Sequence, residues 1–222
     1  MTVQKMNSIY IIKLMPITIF LQARMSSKRL PGKVLLEIKG KTIINLIMDR
    51  LKKVNFKKKI IILTSNNKSD APIVKYCIKN KLIFFKGNLN NVYKRYYDAV
   101  KKYKVNEFIR ISADSPLINP EIIDRAIKLY KKKKYEIVTN CMERTFPKGQ
   151  SVEIINSNVF LNSYKFIKTK KNKEHIFTYF YKNRKKFKIY NFKSKIIKNK
   201  VNHSIDTFKD YLILKDKIEK KL

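Results

Sequence analysis

The sequence is poor in acid, in cysteine and in glycine. Sixteen Asp and Glu face 52 Lys and Arg across 222 residues, a formal net charge of +36. Such an imbalance ordinarily points to a polyanionic partner, nucleic acid or an acidic membrane surface. Here the excess is mostly lysine spread along the whole chain, in company with abundant Asn, Ile, Tyr and Phe, all residues of A/T-rich codons. A solvated lysine-rich surface imposed by base composition accounts for it, since charge bears on solubility and non-specific binding more than on fold. No known nucleic-acid motif accompanies the lysine runs at 57–59 and 131–134, which follow helical segments where cations suit the helix dipole. Nucleic acid is therefore not expected as a partner.

Cys77 and Cys141 stand far apart with no CxxC pattern, so neither a disulfide framework nor a cysteine zinc site is indicated and reduced cytoplasmic thiols are the simpler reading. No apolar run approaches the roughly 20 residues of a membrane span. The opening MTVQKMNSIYIIKLMPITIFLQA looks superficially like a signal peptide, but Lys13 and Pro16 break the apolar stretch and no A-x-A site follows. It reads instead as a tail over 1–14 leading into a strand. No internal repeat or low-complexity linker divides the remainder. Residues 15–222 are thus expected to form one domain, and 44% hydrophobic residues supply a sizeable core.

What the chain does have is an alternation of two periods. Residues 17–21 read as a short buried strand. Behind Thr42 as N-cap, Ile43, Ile44, Ile47, Leu51 and Val54 then recur at helical spacing. Residues 60–63 read as a strand, Ser69-Asp70 opens a helix running through Ile78, and 82–85 return as a strand. Residues 92–104 look helical and 108–111 extended. Asn119-Pro120 then starts a helix with Ile122, Ile123, Ala126, Ile127 and Tyr130 on one face. The second half is less regular: strands at 135–139, 152–155 and 187–192, a helix at 173–183, and a last helix capped by Thr207 and running through Ile218. The alternation predicts right-handed crossovers, hence an α/β fold with a mostly parallel sheet and helices on both faces, a three-layer α/β/α sandwich.

In such a sheet ligands bind beyond the carboxyl ends of the strands. Two stretches fall there. FLQARMSSKRLPGKVL sets Arg24, Arg29 and Lys33 within ten residues, around a Pro31-Gly32 turn. A triphosphate carries roughly four negative charges and calls for cations and backbone N–H groups on a loop of small residues. This is no Walker A loop, because it has one glycine and Val34 follows Lys33. In SADSPLI, Asp114 follows an apolar strand where it could face a ligand. Taken alone, an Asp before Ser-Pro reads more readily as a turn former or cap.

LQARMSSKRLPGKVL resembles the nucleotide-binding loop of sugar nucleotidyltransferases with the GT-A-like Rossmann fold. It is most similar to the cytidylyltransferases of spore-coat polysaccharide biosynthesis, relatives of the CMP-KDO and acylneuraminate cytidylyltransferases. APIVKYC, GNLNNVYKRYYDAV, RISADSPLINPEIID, FPKGQSVEI, KEHIFTYF and SIDTFKDY follow in the family's order, so the likeness covers nearly all of the chain after residue 16. The resemblance implies a cytoplasmic, homodimeric enzyme that transfers CMP from CTP to an acidic sugar with release of pyrophosphate. It also implies Mg2+ held by Asp114 and by Asp206 in HSIDT, two carboxylates converging from separate strands. Arg24, Arg29 and Lys33 then stabilise charge on the phosphates. Ala23 and Ser27 line the base and ribose pocket mainly through backbone contacts, and Arg110 either points to the nucleotide or serves as a structural cation. The acceptor sugar and the dimerisation elements fall around 141–192, where Glu153, Glu174 and His175 match sugar-side positions. His203 reads as structural or as a support to the Asp206 site.

Four places depart from the family pattern. Ser26 stands where glycine is common, Ala113 replaces the glycine before the metal aspartate, Asn91 replaces an aspartate, and Gln150-Ser151 replace a Leu-Asp pair. A methyl at Ala113 is tolerable at negative φ but would strain a left-handed conformation by roughly 1 kcal/mol. The lost acids bear on sugar specificity more than on nucleotide binding. The residues leave open another nucleotide, such as GTP or UTP, and a basic nucleic-acid-binding protein on a degenerate nucleotidyltransferase scaffold.

Overall fold

The computed structural model describes residues 16–132 and 134–220, so the tail expected at 1–14 lies outside the described residues. The first strand, β1 (Ile17–Gln22), sends its side chains alternately into two apolar layers. Ile17, Ile19 and Leu21 join one buried cluster and Phe20 joins the other. A near-continuous apolar run has this meaning when a strand is covered on both faces. Two short strands, β2 (Glu37–Ile38) and β3 (Lys41–Thr42), form a separate antiparallel pair behind the first loop.

On one side of β1 lie β4 (Lys58–Ser65) and then β5 (Phe84–Gly87), and on the other β6 (Glu107–Ser112), all parallel to it. Beyond β6 come β7 (Ile137–Thr139), β8 (Glu153–Asn156) and β9 (Ile189–Asn191), giving a seven-stranded sheet in the order β5-β4-β1-β6-β8-β7-β9. β8 runs antiparallel to both β6 and β7, which is why the sheet is mostly rather than wholly parallel.

Helices cover both faces. α1 (Ile43–Lys52), α2 (Ala71–Lys79), α4 (Pro120–Tyr130) and α8 (Phe208–Glu219) contribute to the cluster that holds Ile19 and Leu21. α3 (Val92–Tyr103), α5 (Ser157–Ser163) and α7 (Thr178–Lys182) contribute to the cluster around Phe20. That second layer is aromatic: the rings of Tyr93 and Phe160 stack at 4.0 Å, with Phe108 edge-on to Phe160 at 5.1 Å. The expected caps are in place at Thr42 and Asn119, and Thr207 closes a capping box with Asp210.

Several elements differ from the sequence reading: α5 and the β2–β3 pair are not foreseen in it, the strand expected at 135–139 begins at Ile137, and two further differences have a clear local cause. The helix expected at 173–183 is two short ones, α6 (Lys170–Glu174) and α7, separated by His175 in an extended conformation. Adjacent Ile176 and Phe177 are both buried, and the break lets both enter the core. The strand expected at 82–85 begins later, at Phe84. Lys81 adopts φ +52, and the Leu82 N–H still bonds back to the Cys77 carbonyl at 2.8 Å, so the turn after α2 consumes Leu82 and Ile83.

The topology also says where a ligand belongs. From β1 the chain winds outward through β4 and β5, then returns past β1 to β6. The carboxyl ends of β1 and β6 therefore flank the point where winding reverses, and the loops leaving them part to open a crevice.

Candidate active site

Backbone bonds hold the two strand ends level at this crevice. The Ala23 N–H donates to the Leu63 carbonyl and the Ala113 N–H to the Gln22 carbonyl, each at 2.9 Å. Asp70, fully buried, then anchors the first loop. One of its oxygens accepts from the Met25 N–H at 2.7 Å, and the other accepts from the Ser65 N–H at 3.1 Å and the Ser65 hydroxyl at 2.5 Å. The Met25 carbonyl in turn accepts from the N–H groups of Ser27 and Gly32, both at 2.9 Å. Gly32 sits at φ +72, a conformation natural to glycine, and folds the chain back so that Lys33 starts a short 3-10 turn pointing inward.

Lys33 is buried, and its ammonium donates to three oxygens: the Ile205 carbonyl at 2.5 Å, Asp206 Oδ1 at 3.1 Å and Asp114 Oδ2 at 3.4 Å. The Ile205 N–H donates to the Asp114 carbonyl at 2.8 Å, which ties the two acidic segments together. Asp206 does not come from a strand as expected. It lies in the loop before α8, where its N–H donates to Asp210 at 3.1 Å. The short apolar stretch that suggested a strand buries Ile205 as a single anchor, and the chain there makes only an isolated bridge between Lys148 and Asn202.

Asp206 is surrounded by cations, with Lys148 Nζ at 2.5 Å and Arg29 Nη2 at 3.0 Å in addition to Lys33. Burial opposes its ionisation, but the hydrogen bonds and charges of Lys148 and Lys33 outweigh that and lower its pKa to about 2.

A cavity of about 410 Å3 lies between this couple and the first loop. Arg24, Ser27, Arg29, Lys33 and Arg110 line it, together with Asp114, Glu174, His175 and Asp206. With Lys28, its wall carries five cationic side chains against three carboxylates, a balance suited to a polyanion.

Two expected residues lie outside that wall. Ala23 packs into the core beneath the loop. Glu153 lies under the floor, with its side chain 4% exposed and both oxygens engaged: one pairs with Arg110 Nη1 at 2.5 Å, the other accepts from the Tyr181 hydroxyl at 2.6 Å. Glu153 fixes Arg110 instead of facing the cavity. Glu174 pairs with Arg24 at 3.7 Å beside the first loop, and His175 stands exposed at the end of α6. Ala113 carries no left-handed strain, because the non-glycine residues at positive φ among those described are Lys39, Lys81 and Lys104. His203 contacts Gln150 and Lys217 and supports the loop that carries Asp206.

Sequence reasoning did not single out Asp70, Gln22 or Lys148. Asp70 carries the ordinary signature of a helix opener. The signal for Lys148 was its neighbour Gly149, which sits at φ +89 and whose Cβ would fall 2.6 Å from the His203 carbonyl carbon. In a chain with four glycines, one spent on such a close approach marks a place where two loops must meet.

The donor set suits a hard divalent ion. Two carboxylates approach one ammonium, both border the cavity, and their oxygens are the ligands that Mg2+ prefers. Among the described residues no third His, Cys, Asp or Glu completes a metal cluster. Water and phosphate oxygens would have to supply the other positions.

Residues 18–220 match the family model described as cytidylyltransferase. The structure of a cytidylyltransferase from Leptospira borgpetersenii superposes with a TM-score of 0.88 at 33% identity, covering 94% of this chain and 88% of that one. The spore coat polysaccharide biosynthesis protein SpsF of Bacillus subtilis is 28% identical over 152 residues, which are 66% of this chain and 61% of that protein. The structure of CMP:2-keto-3-deoxy-manno-octonic acid synthetase shares the fold, with a TM-score of 0.71 at 16% identity over 94% of this chain and all of that one. The fold is the Rossmann-like one of nucleotidyltransferases.

Proposed function

This chain belongs to the cytidylyltransferase family, and from that premise we propose that it transfers CMP from CTP to an acidic sugar, making an activated sugar for cell-surface polysaccharide. The observation that carries the reading is the gathering of Arg24, Arg29 and Lys33 around one crevice with Asp114 and Asp206. The likeness to a spore coat polysaccharide protein supports the destination of the product.

Little covalent chemistry is asked of the protein, so orientation and charge stabilisation supply most of the acceleration. The acceptor hydroxyl oxygen bonds to the α-phosphorus as the bond from that phosphorus to the bridging oxygen breaks. The electron pair of the broken bond leaves with pyrophosphate, and the hydroxyl proton passes to solvent. Arg24, Arg29 and Lys33 balance the charge growing on the leaving group. Asp114 and Asp206 would hold Mg2+, which when bound polarises the α-phosphate as a Lewis acid and helps lower the pKa of the acceptor hydroxyl. Ser27 and the backbone beside Ala23 line the base and ribose, and Arg110, locked by Glu153, faces the nucleotide. The same reading includes a cytoplasmic homodimer, which rests on the family resemblance.

Pyrophosphate release tests it, with each of the four ribonucleoside triphosphates offered in Mg2+ alongside acidic sugars. CTP should give the fastest release, and Asp114→Asn should lower it about a hundredfold or more. A different preferred nucleotide, or an unimpaired Asp114→Asn variant, would overturn the assignment.

A further inference from the structure

A smaller cavity of about 160 Å3 adjoins the larger one and shares Arg110, Ser112, Asp114 and Asp206 with it. Its separate wall is built by Arg144, Lys148, Ser151 and Ser204. Hydroxyls beside cations are the groups that a sugar carrying a carboxylate would meet.

The cations around these cavities are unequally committed. Arg24 pairs with Glu174, Arg110 with Glu153, and Arg29, Lys33 and Lys148 all with Asp206. Lys28 and Arg144 pair with no carboxylate among the described residues. An unpaired lysine would mean little on this surface, but the chain has eight arginines among 52 basic residues and four of the eight line these two cavities. A planar guanidinium also matches a carboxylate with two parallel hydrogen bonds, which an ammonium cannot do.

The wall that carries Arg144 is held in place. Thr145, next to it, accepts from the Ser194 N–H at 2.7 Å through its hydroxyl and from the Lys198 N–H at 2.8 Å through its carbonyl. The Lys148 N–H donates to the Val201 carbonyl at 2.9 Å, and the His203 N–H donates to the Lys148 carbonyl at 2.7 Å. Gln150 accepts from the Asn119 N–H at 2.8 Å and donates to the Leu117 carbonyl at 2.6 Å, which joins this wall to the loop that follows Asp114.

We propose that this smaller cavity receives the acidic end of the acceptor sugar, with Arg144 holding its carboxylate and setting the preference for acid over neutral sugars. The inference rests on the cytidylyl-transfer reading above and moves the sugar contacts away from Glu153, Glu174 and His175. Both cavities are bordered by Asp114 and Asp206, so an acceptor held in the smaller one lies beside the couple that borders the nucleotide cavity.

The test is pyrophosphate release from CTP and Mg2+ with 3-deoxy-manno-octulosonate, N-acetylneuraminate and glucuronate, set against neutral mannose, N-acetylmannosamine and glucose. Release should require an acidic acceptor. Arg144→Ala should raise the KM for that acceptor about ten- to hundredfold while leaving kcat and the KM for CTP near their original values, and Arg144→Lys should recover part of the loss. Retained kcat separates lost recognition from misfolding. Turnover of neutral sugars as good as that of acids, an unchanged acceptor KM in Arg144→Ala, or CTP binding with no turnover of any acceptor would overturn the acceptor assignment alone. Failure of CTP to bind would overturn the parent reading as well.

Discussion

Arg110 and Glu153 are direct cross-strand partners on β6 and β8, and their side chains meet at 2.5 Å beneath the floor of the crevice. Burial works against the charge on Arg110, but the Glu153 carboxylate more than offsets it and raises the guanidinium pKa further. Gln22 and Tyr96 complete the arrangement from the neighbouring strand and helix. The site thus keeps a permanent cation at its base, at a fixed position.

Removing one partner of a buried pair leaves the other charge uncompensated. Glu153→Ala should therefore cost about 3 kcal/mol in denaturant unfolding without any ligand present. Arg110→Met combined with Glu153→Leu should recover most of that stability while weakening nucleotide binding. A Glu153→Ala variant as stable as the original would show that Glu153 does not hold Arg110.

Gly149→Ala should destabilise the protein by about 2 kcal/mol or more, because the new methyl would meet the His203 backbone at 2.6 Å and the position is held at φ +89. Thermal unfolding measures it. An unchanged Tm would mean that the two loops are not held together as described.

The layers of the fold are legible in the sequence because they follow from local periodicity. Ile17, Ile19 and Leu21 alternate with Phe20, and both sets are apolar, so both faces of β1 had to be covered. The position of Asp114 just past β6 is legible for the same reason, but its place in a site is implied by the family resemblance alone, since an Asp before Ser-Pro otherwise reads as a turn former. Glu153 is different: which way its side chain faces depends on register against β6, and no local pattern encodes that. Asp206 and Lys148 meet through two irregular loops 58 residues apart in the chain, a closure set by tertiary contacts alone. The split of the expected helix at His175 likewise reflects the burial of Ile176 and Phe177, which helical periodicity does not reveal.

Lys104 ends α3 in a left-handed conformation, φ +49, where glycine is usual. Lys104→Gly should stabilise the protein by about 1 kcal/mol, read from the midpoint of denaturant unfolding. A lower midpoint would contradict the strain assigned to this residue.

Burial pushes the Cys77 thiol up to about 11. At pH 8 roughly one thiol in a thousand is ionised, so iodoacetamide should leave Cys77 unmodified in the folded protein and alkylate it rapidly in denaturant. Rapid modification of the native protein, located by peptide mass spectrometry, would place Cys77 outside the core.

The central claim is that the first loop's cations and the Asp114–Asp206 couple hold one triphosphate together with a divalent ion. Calorimetric titration of CTP with and without Mg2+ tests this most directly, on the original protein and on Asp114→Asn and Asp206→Asn. Mg2+ should tighten CTP binding about tenfold or more in the original protein and have little effect in either variant. An affinity for CTP that is the same in all three proteins, with or without Mg2+, would contradict the claim.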